Sequence, residues 1–356
     1  MPLISGKPLP AVFMNPQKEI TIYDIAEQLK ISAATVSRAL SGSKVVSATT
    51  RKRINDKAKE MGYRSNNFAS NLRKKNTHTI GVLMHELNST FMLSVLSGIE
   101  KVIGQTAYDI IIAHSAESGE KEVQNAHHLF HKRVDGLIAS LAFDTPDLSH
   151  FDEFVKKNIP IIYFDRVEEK NGGANVIIDN FKAGFEVTQH LIEQGCSRIA
   201  HITGNLSRNV YDQRYKGYVA ALKKNKIRFD EKLVIINDLK KESCCAAAMQ
   251  LMQMKQMPDG LFVTGDFGAA ICIQTFKEAG IKIPGDIAVA GFNNDTISTI
   301  IEPKLTTINY SGFNVGETAA QMLIDHLKGN INILMTSTVT LNSELIVRES
   351  SLRKKA

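Results

Sequence analysis

The sequence predicts an all-α helix-turn-helix head followed by an α/β body made of two doubly wound parallel-sheet lobes. Three observations lead there. Between residues 20 and 62, apolar side chains recur at helical spacing in three short segments separated by tight corners. Beyond residue 77, short runs rich in Ile, Val, Leu and Phe alternate with stretches long enough for crossover helices, the pattern of parallel sheets. About nine such runs precede residue 293, more than one comfortable sheet holds, so two lobes are expected.

The elements follow in order. Residues 1–18 hold four prolines and no helical period, and a disordered extension is expected there, with Met14 as an alternative start. A first helix carries Ile22, Ile25, Ala26 and Leu29 on one stripe, and Thr21 with Asp24 forms a capping-box pattern at its start. The second begins after Ser32 and turns Val36 and Leu40 inward. The third follows Ser47, buries Ile54, Ala58 and Met61, and stops at Gly62. Only Lys30-Ile31-Ser32 separates the first two, which is helix-turn-helix spacing.

In the body, strands are expected at 80–84, 109–113, 136–139, 160–164, 176–179, 199–203, 233–236, 261–264 and 287–292. The Gly172-Gly173 pair marks the first passage between lobes, and a second passage near 303–309 precedes a helix over 312–328. Two closing strands follow, at 337–341 and 344–347.

Composition narrows the function. Of 356 residues, 43% are apolar and 22% charged, as in soluble globular proteins. No apolar run reaches the ~20 residues of a membrane helix. The first fourteen residues lack the basic start and apolar block of a secretory leader, and four cysteines without a C-x-x-C pair fit a reducing cytoplasm. The net charge of +6 conceals a split: residues 1–77 carry 14 Lys and Arg against 5 Asp and Glu, while the rest is slightly acidic. A basic head on a near-neutral body suggests a head that meets a polyanion.

Enzymatic patterns are absent from the sequence: no G-x-G-x-x-G after a strand, no phosphate-binding G-x-x-x-x-G-K-[ST], no G-x-S-x-G elbow. An enzyme is not expected, nor a cofactor or a metal. His127 and His131 are spaced i,i+4 but lack a third ligand and read as a solvated helix face. The run Met249, Met252, Met254 and Met257 reads as core filling.

The head is more informative. With the second helix's apolar side inward, Ala33, Ala34, Ser37 and Arg38 point outward. Arg38 is able to make a bidentate pair with guanine in a major groove, and small alanines leave room or touch a thymine methyl. Ser32, Thr35 and the Arg51-Lys52-Arg53 cluster are placed to meet phosphates.

Read together, Thr21-Ile-Tyr-Asp-Ile-Ala-Glu27, Ser32-Ala-Ala-Thr-Val-Ser-Arg-Ala-Leu40, Val46-Ser-Ala-Thr-Thr-Arg51, Met61-Gly-Tyr-Arg64, Asn67-Phe-Ala-Ser-Asn-Leu-Arg73 and Thr79-Ile-Gly-Val82 resemble the lactose repressor (LacI/GalR) family. So do Phe164-Asp-Arg166, Asp179-Asn180, Arg198-Ile199, Arg214-x-x-Gly217-Tyr218 and Leu305-Thr-Thr307, so the resemblance runs from residue 20 to about 350.

The resemblance implies a cytoplasmic repressor dimer reading two half-sites of a near-palindromic DNA operator. Its DNA-contacting set is Thr21, Tyr23, Ser32, Ala33, Ala34, Thr35, Ser37, Arg38, Asn67, Ala69 and Leu72. Residues 65–77 match the linker whose short helix forms on the operator, with Leu72 as the wedge into the minor groove. The head then spans 19–64 and the body 78–349, with a tail at 350–356. The first lobe takes 78–178 and 309–338, the second 179–308 and 339–349. The body is similar to periplasmic sugar-binding proteins, which places a small-molecule effector between the lobes, lined by Phe91, Asp165, Arg214 and Asn293.

Three positions depart from the family pattern. Asn293 stands where Asp is usual, Gly265 where Asn is frequent, and Cys196 where His is common. The first two weaken the usual sugar grip. A sugar or sugar derivative is the expected effector. A purine-type corepressor is the alternative, as is a ligand-independent DNA-binding protein with a degenerate pocket.

Overall fold

The computed structural model describes residues 19–63, 76–168, 172–335 and 338–353. It divides into two units at Thr77. The expected extension at 1–18, most of the linker, and residues 354–356 of the tail lie outside the described residues.

The head is three helices: α1 (Ile22–Leu29), α2 (Ala33–Leu40) and α3 (Ala48–Glu60). Each starts at a hydroxyl cap. Thr21 and Asp24 close a reciprocal capping box, with the Thr21 N–H donating to Asp24 at 2.7 Å, while Ser32 and Ser47 accept from the amides of Thr35 and Thr50. Ile25, Val36, Ala39, Val46, Ile54 and Ala58 bury themselves in one small core. Ala39, rather than the expected Leu40, is the fully buried partner of Val36; Leu40 is half-buried at the edge of that core.

The body opens with β1 (Thr79–Met84), α4 (Thr90–Ile103), β2 (Asp109–His114), α5 (Gly119–His131), β3 (Gly136–Ala139), α6 (Asp152–Lys156), β4 (Ile161–Phe164) and β5 (Ala174–Ile178). With β11 (Thr338–Leu341) these strands form one all-parallel sheet of order β11-β5-β4-β3-β1-β2. Its central strands are buried on both faces, which is why their sequence reads as unbroken apolar runs.

The second lobe holds α7 (Asn180–Glu193), β6 (Ile199–Thr203), α8 (Asn209–Lys224), β7 (Val234–Ile236), α9 (Lys241–Met252), β8 (Gly260–Val263), α10 (Asp266–Glu278) and β9 (Ala288–Ala290), with parallel strand order β7-β6-β8-β9. After α11 (Ile297–Ile300), β10 (Thr307–Asn309) pairs antiparallel with β12 (Glu344–Ile346), and single bridges at 290–306 and 293–309 join this ribbon to the end of β9. α12 (Gly312–Leu327) lies between β10 and β11 in sequence and packs on α4.

The chain crosses between the lobes three times: after Ile178, after Asn309, and between Leu341 and Glu344. The first crossing corrects the expected passage at Gly172-Gly173, because β5 lies beyond it and still pairs with β4. The third corrects the expected change of lobe at residue 339, because β11 pairs with β5 along its whole length. Nor is the tail free from residue 350. Ser350 and Ser351 are fully buried, Ser350 Oγ donates to the Val289 carbonyl at 2.6 Å, and Arg353 donates to the carbonyls of Pro284, Asp259 and Asp286.

Two of the crossings lead into helices that approach a neighbour at backbone distance. A Cβ on Gly316 of α12 would collide with the Val95 carbonyl of α4, and one on Gly98 of α4 with the Phe313 carbonyl. α7 and α8 repeat the arrangement through Gly184 and Gly217.

Candidate functional site

On the head, α2 presents Ser32, Ala34 and Arg38 to solvent, with Thr35 and Ser37 half-buried beside them. Ala33, expected outward, packs partly against the head core. The Arg38 Nε donates to its own helix at the Ala34 carbonyl, 3.1 Å away, which uses one of five donors. Tyr23 is 71% exposed at the start of α1, and Thr21 is exposed beside it. Small residues with one arginine on an exposed helix face are what major-groove docking requires. Lys52 and Arg53 are exposed too. Arg51 is not free to meet a phosphate as expected: its Nη2 donates to the carbonyls of Ser43 and Val46 and pins the loop before α3. Asn67, Ala69 and Leu72 lie outside the described residues.

In each lobe the strand order reverses, between β1 and β3 in the first and between β6 and β8 in the second. The crevice at the carboxyl ends of the strands at such points is where ligands bind in open parallel sheets. Residues at these ends take unusual backbone angles: φ is +58° at Asp165, +108° at Asn293 and +57° at Asn294. Such strain gathers at ligand sites.

The structure brings three of the four expected lining residues close together. Asp165 follows β4 and is buried. Burial raises its carboxyl above the usual range, and the guanidinium groups of Arg214 and Arg166 and the Tyr310 hydroxyl act against that rise. No ion pair joins Asp165 to Arg214 among the described residues. Arg214 donates instead from Nε to Asn180 Oδ1 at 2.9 Å and from Nη1 to the Thr264 carbonyl at 3.1 Å, with its guanidinium 3.6 Å from the Phe292 ring centre. Burial lowers its pKa, with Asp165 opposing. Phe91, on the first turn of α4, rests on Tyr310 with ring centres 4.5 Å apart. Asn293 stands apart from these polar contacts. Its N–H donates to the Ile308 carbonyl, and its side chain faces Asp295. Beside it Asp266, fully buried at the start of α10, accepts from Thr307 Oγ1 and the Asp295 N–H, and burial pushes its pKa up to about 8.

A second polar layer crosses the cleft, and sequence reasoning missed it. Arg166 makes a bidentate pair with Glu117 at 2.7 and 3.0 Å and donates to the Tyr211 hydroxyl at 3.0 Å. Arg208 donates to the Thr145 carbonyl at 2.9 Å. Two signals were available: Arg166 sits in the Phe164-Asp-Arg166 triplet, and Arg208 stands six residues before Arg214. At the β1/β3 switch point, His85 Nδ1 lies 2.9 Å from Ser140 Oγ, and burial holds its pKa well below 6.5.

Residues 21–66 match the sequence profile described as bacterial regulatory proteins, lacI family, and residues 188–351 match that of a periplasmic binding protein-like domain. The HTH-type transcriptional regulator RegA of Clostridium saccharobutylicum is 31% identical over 335 residues, covering 93% of this chain and 99% of that one. The chain belongs to the lacI family.

Other relatives agree. The catabolite control protein A of Priestia megaterium is 29% identical over 93% of this chain and 99% of its own length. Among solved structures, a transcriptional regulator CelR–cellobiose complex is 28% identical with a TM-score of 0.70, covering 93% of this chain and all of that one. A lac repressor dimer bound to operator and the anti-inducer ONPF shares the fold at 24% identity and a TM-score of 0.82, with 94% of this chain and 100% of that one covered. This lacI-family chain is a DNA-binding transcriptional repressor, and its relatives are transcriptional regulators, not enzymes. Among the described residues, no helix is long and apolar enough to cross a membrane, and no group of three or more His, Cys, Asp or Glu is gathered to hold a metal.

Proposed function

We propose that this repressor works as a cytoplasmic homodimer. Its two heads read the half-sites of a near-palindromic operator, and a sugar or sugar derivative held between the body lobes sets how tightly they grip. The observation that carries the reading is the gathering of Asp165, Arg214, Phe91 and Tyr310 at the carboxyl ends of parallel strands, in a chain whose other unit exposes a recognition helix. A carboxylate accepts from hydroxyls and a guanidinium donates to them, and an aromatic face covers an apolar sugar face. Arg38 reads a guanine, Ser32 and Thr35 fix register on phosphates, and Leu72 wedges into the central step.

An effector need prefer one lobe arrangement by only a few kcal/mol to switch the operator, since ~1.4 kcal/mol is a factor of ten. The test has two stages. Selection from a random DNA pool should return an inverted repeat. Fluorescence anisotropy on that operator, with a panel of sugars, sugar phosphates and nucleobases, should then find one compound that moves the affinity by tenfold or more. A nucleobase strengthening binding would replace the sugar with a purine corepressor. Silence across the panel would sink regulation through the cleft, and failure to enrich any inverted repeat would sink the dimeric reader.

A further inference from the structure

We propose that the two lobes latch shut on each other's side chains with no small molecule present, and that an effector acts by displacing Tyr211 from this latch. The inference rests on the reading of this cleft as the effector site and concerns how that site is gated.

The latch joins residues 205–211 of the second lobe to residues 143–168 of the first, away from the three chain crossings. Asn209, on the first turn of α8, clasps a backbone segment from both sides: it accepts from the Val167 N–H and donates to the Asp165 carbonyl, both at 3.0 Å. Asn205 donates to the Phe143 carbonyl at 3.1 Å. Arg208, 5% exposed, donates to the Thr145 carbonyl and stands 3.4 Å from Glu168. On the far side of the cleft, the Asp295 carboxyl faces the Thr90 hydroxyl.

Tyr211 is the centre of this layer. Its ring packs on Gly204, where an added Cβ would come within 2.7 Å of it, and lies 5.6 Å from the Phe143 ring centre. Arg166 caps this ring pair from one side, 5.1 Å from the Phe143 centre and 5.4 Å from that of Tyr211, with Glu117 completing its hydrogen bonding. An Arg166 donor able to meet a ligand hydroxyl is therefore taken by the protein's own phenol. Each of these bonds is modest in net terms. Because three chain crossings already hold the lobes together, every bond after the first forms intramolecularly, so their effects accumulate on a single opening equilibrium.

The experiment places spin labels on Glu120→Cys at the start of α5 and Lys241→Cys at the start of α9, in a Cys245→Ser background, and reads the distance distribution without DNA or any added compound. Both helices begin at the cleft side of their lobes. The full-length protein should give one narrow, short distance. Asn209→Ala and Tyr211→Phe, singly and together, should raise the open-to-closed ratio by about tenfold per variant while circular dichroism still shows a cooperative melt. A long or broad distribution in the parent protein overturns the latch, and so does a distribution that stays short in the double variant. Because no ligand and no operator enter this measurement, its failure is separable from a silent effector panel.

Discussion

His201 in β6 is fully buried, with its ring stacked on Tyr218 and Phe262 at 4.9 and 4.6 Å. Its Nδ1 lies 3.1 Å from the Phe262 carbonyl, and Nε2 has no hydrogen-bond partner among the described residues. Burial pushes its pKa down to about 3, the Phe262 bond opposes that shift, and the charge of Arg214 adds to it. The unfolded chain takes up this proton below pH ~6.5 and the folded chain only near 3. Stability from this group is thus complete above pH ~6.5 and falls with pH by about 1.4 kcal/mol per unit across that window. His201→Phe should reduce the drop in melting temperature between pH 7 and pH 5. His85 and His190 are also held below their ordinary pKa by burial, so part of the drop should remain. An undiminished drop would assign the acid sensitivity wholly to such other groups. Residues of this kind were hard to read in advance. A run of Arg51-Lys52-Arg53 looks uniformly cationic, yet the carbonyls that capture Arg51 belong to the preceding loop. The pairs Glu117–Arg166 and Asn209–Val167 join segments more than forty residues apart.

Among the elements, the helices of the head were legible because everything that makes them is local: a stripe at i, i+3, i+4, a hydroxyl cap, a glycine stop. The body's strands were legible as apolar runs. Which sheet β11 joins was not, because its edge pairing is decided by a partner 163 residues away, as Thr338 pairs with Asn175. Helix contact through glycine was equally hidden in the sequence, and it carries a prediction. At Gly316 a Cβ would meet a backbone carbonyl of α4, which has no rotamer to yield. Gly316→Ala should therefore lower body stability by about 1–3 kcal/mol or more, and Gly195→Ala is a useful contrast. Gly195 has open space around it and pays only for φ +87°. Urea titrations in which Gly316→Ala costs less than Gly195→Ala would contradict the close approach of α4 and α12.

For the whole molecule, the charge division separates two kinds of binding by their response to salt. The head region carries the excess of Lys and Arg, while Arg166 and Arg214 in the body are buried among their own partners. Operator affinity should fall steeply between 50 and 200 mM salt, by about a thousandfold if each dimer neutralises roughly six phosphates. Binding of an effector by the same protein should move severalfold at most. Equal slopes for both ligands would place substantial charge recognition in the cleft.

Residues 338–351 also govern when the body becomes whole. Thr338–Leu341 lie along the edge of the first lobe's sheet, Glu344–Ile346 complete the ribbon with Thr307–Asn309, and Ser350 bonds both Val289 and Thr306. During synthesis neither half is finished until this stretch has emerged from the ribosome, so a nascent repressor long enough to show its DNA-reading helices still lacks both completed halves. A chain stopped before Thr338 should therefore carry its reading helices ahead of two unfinished lobes.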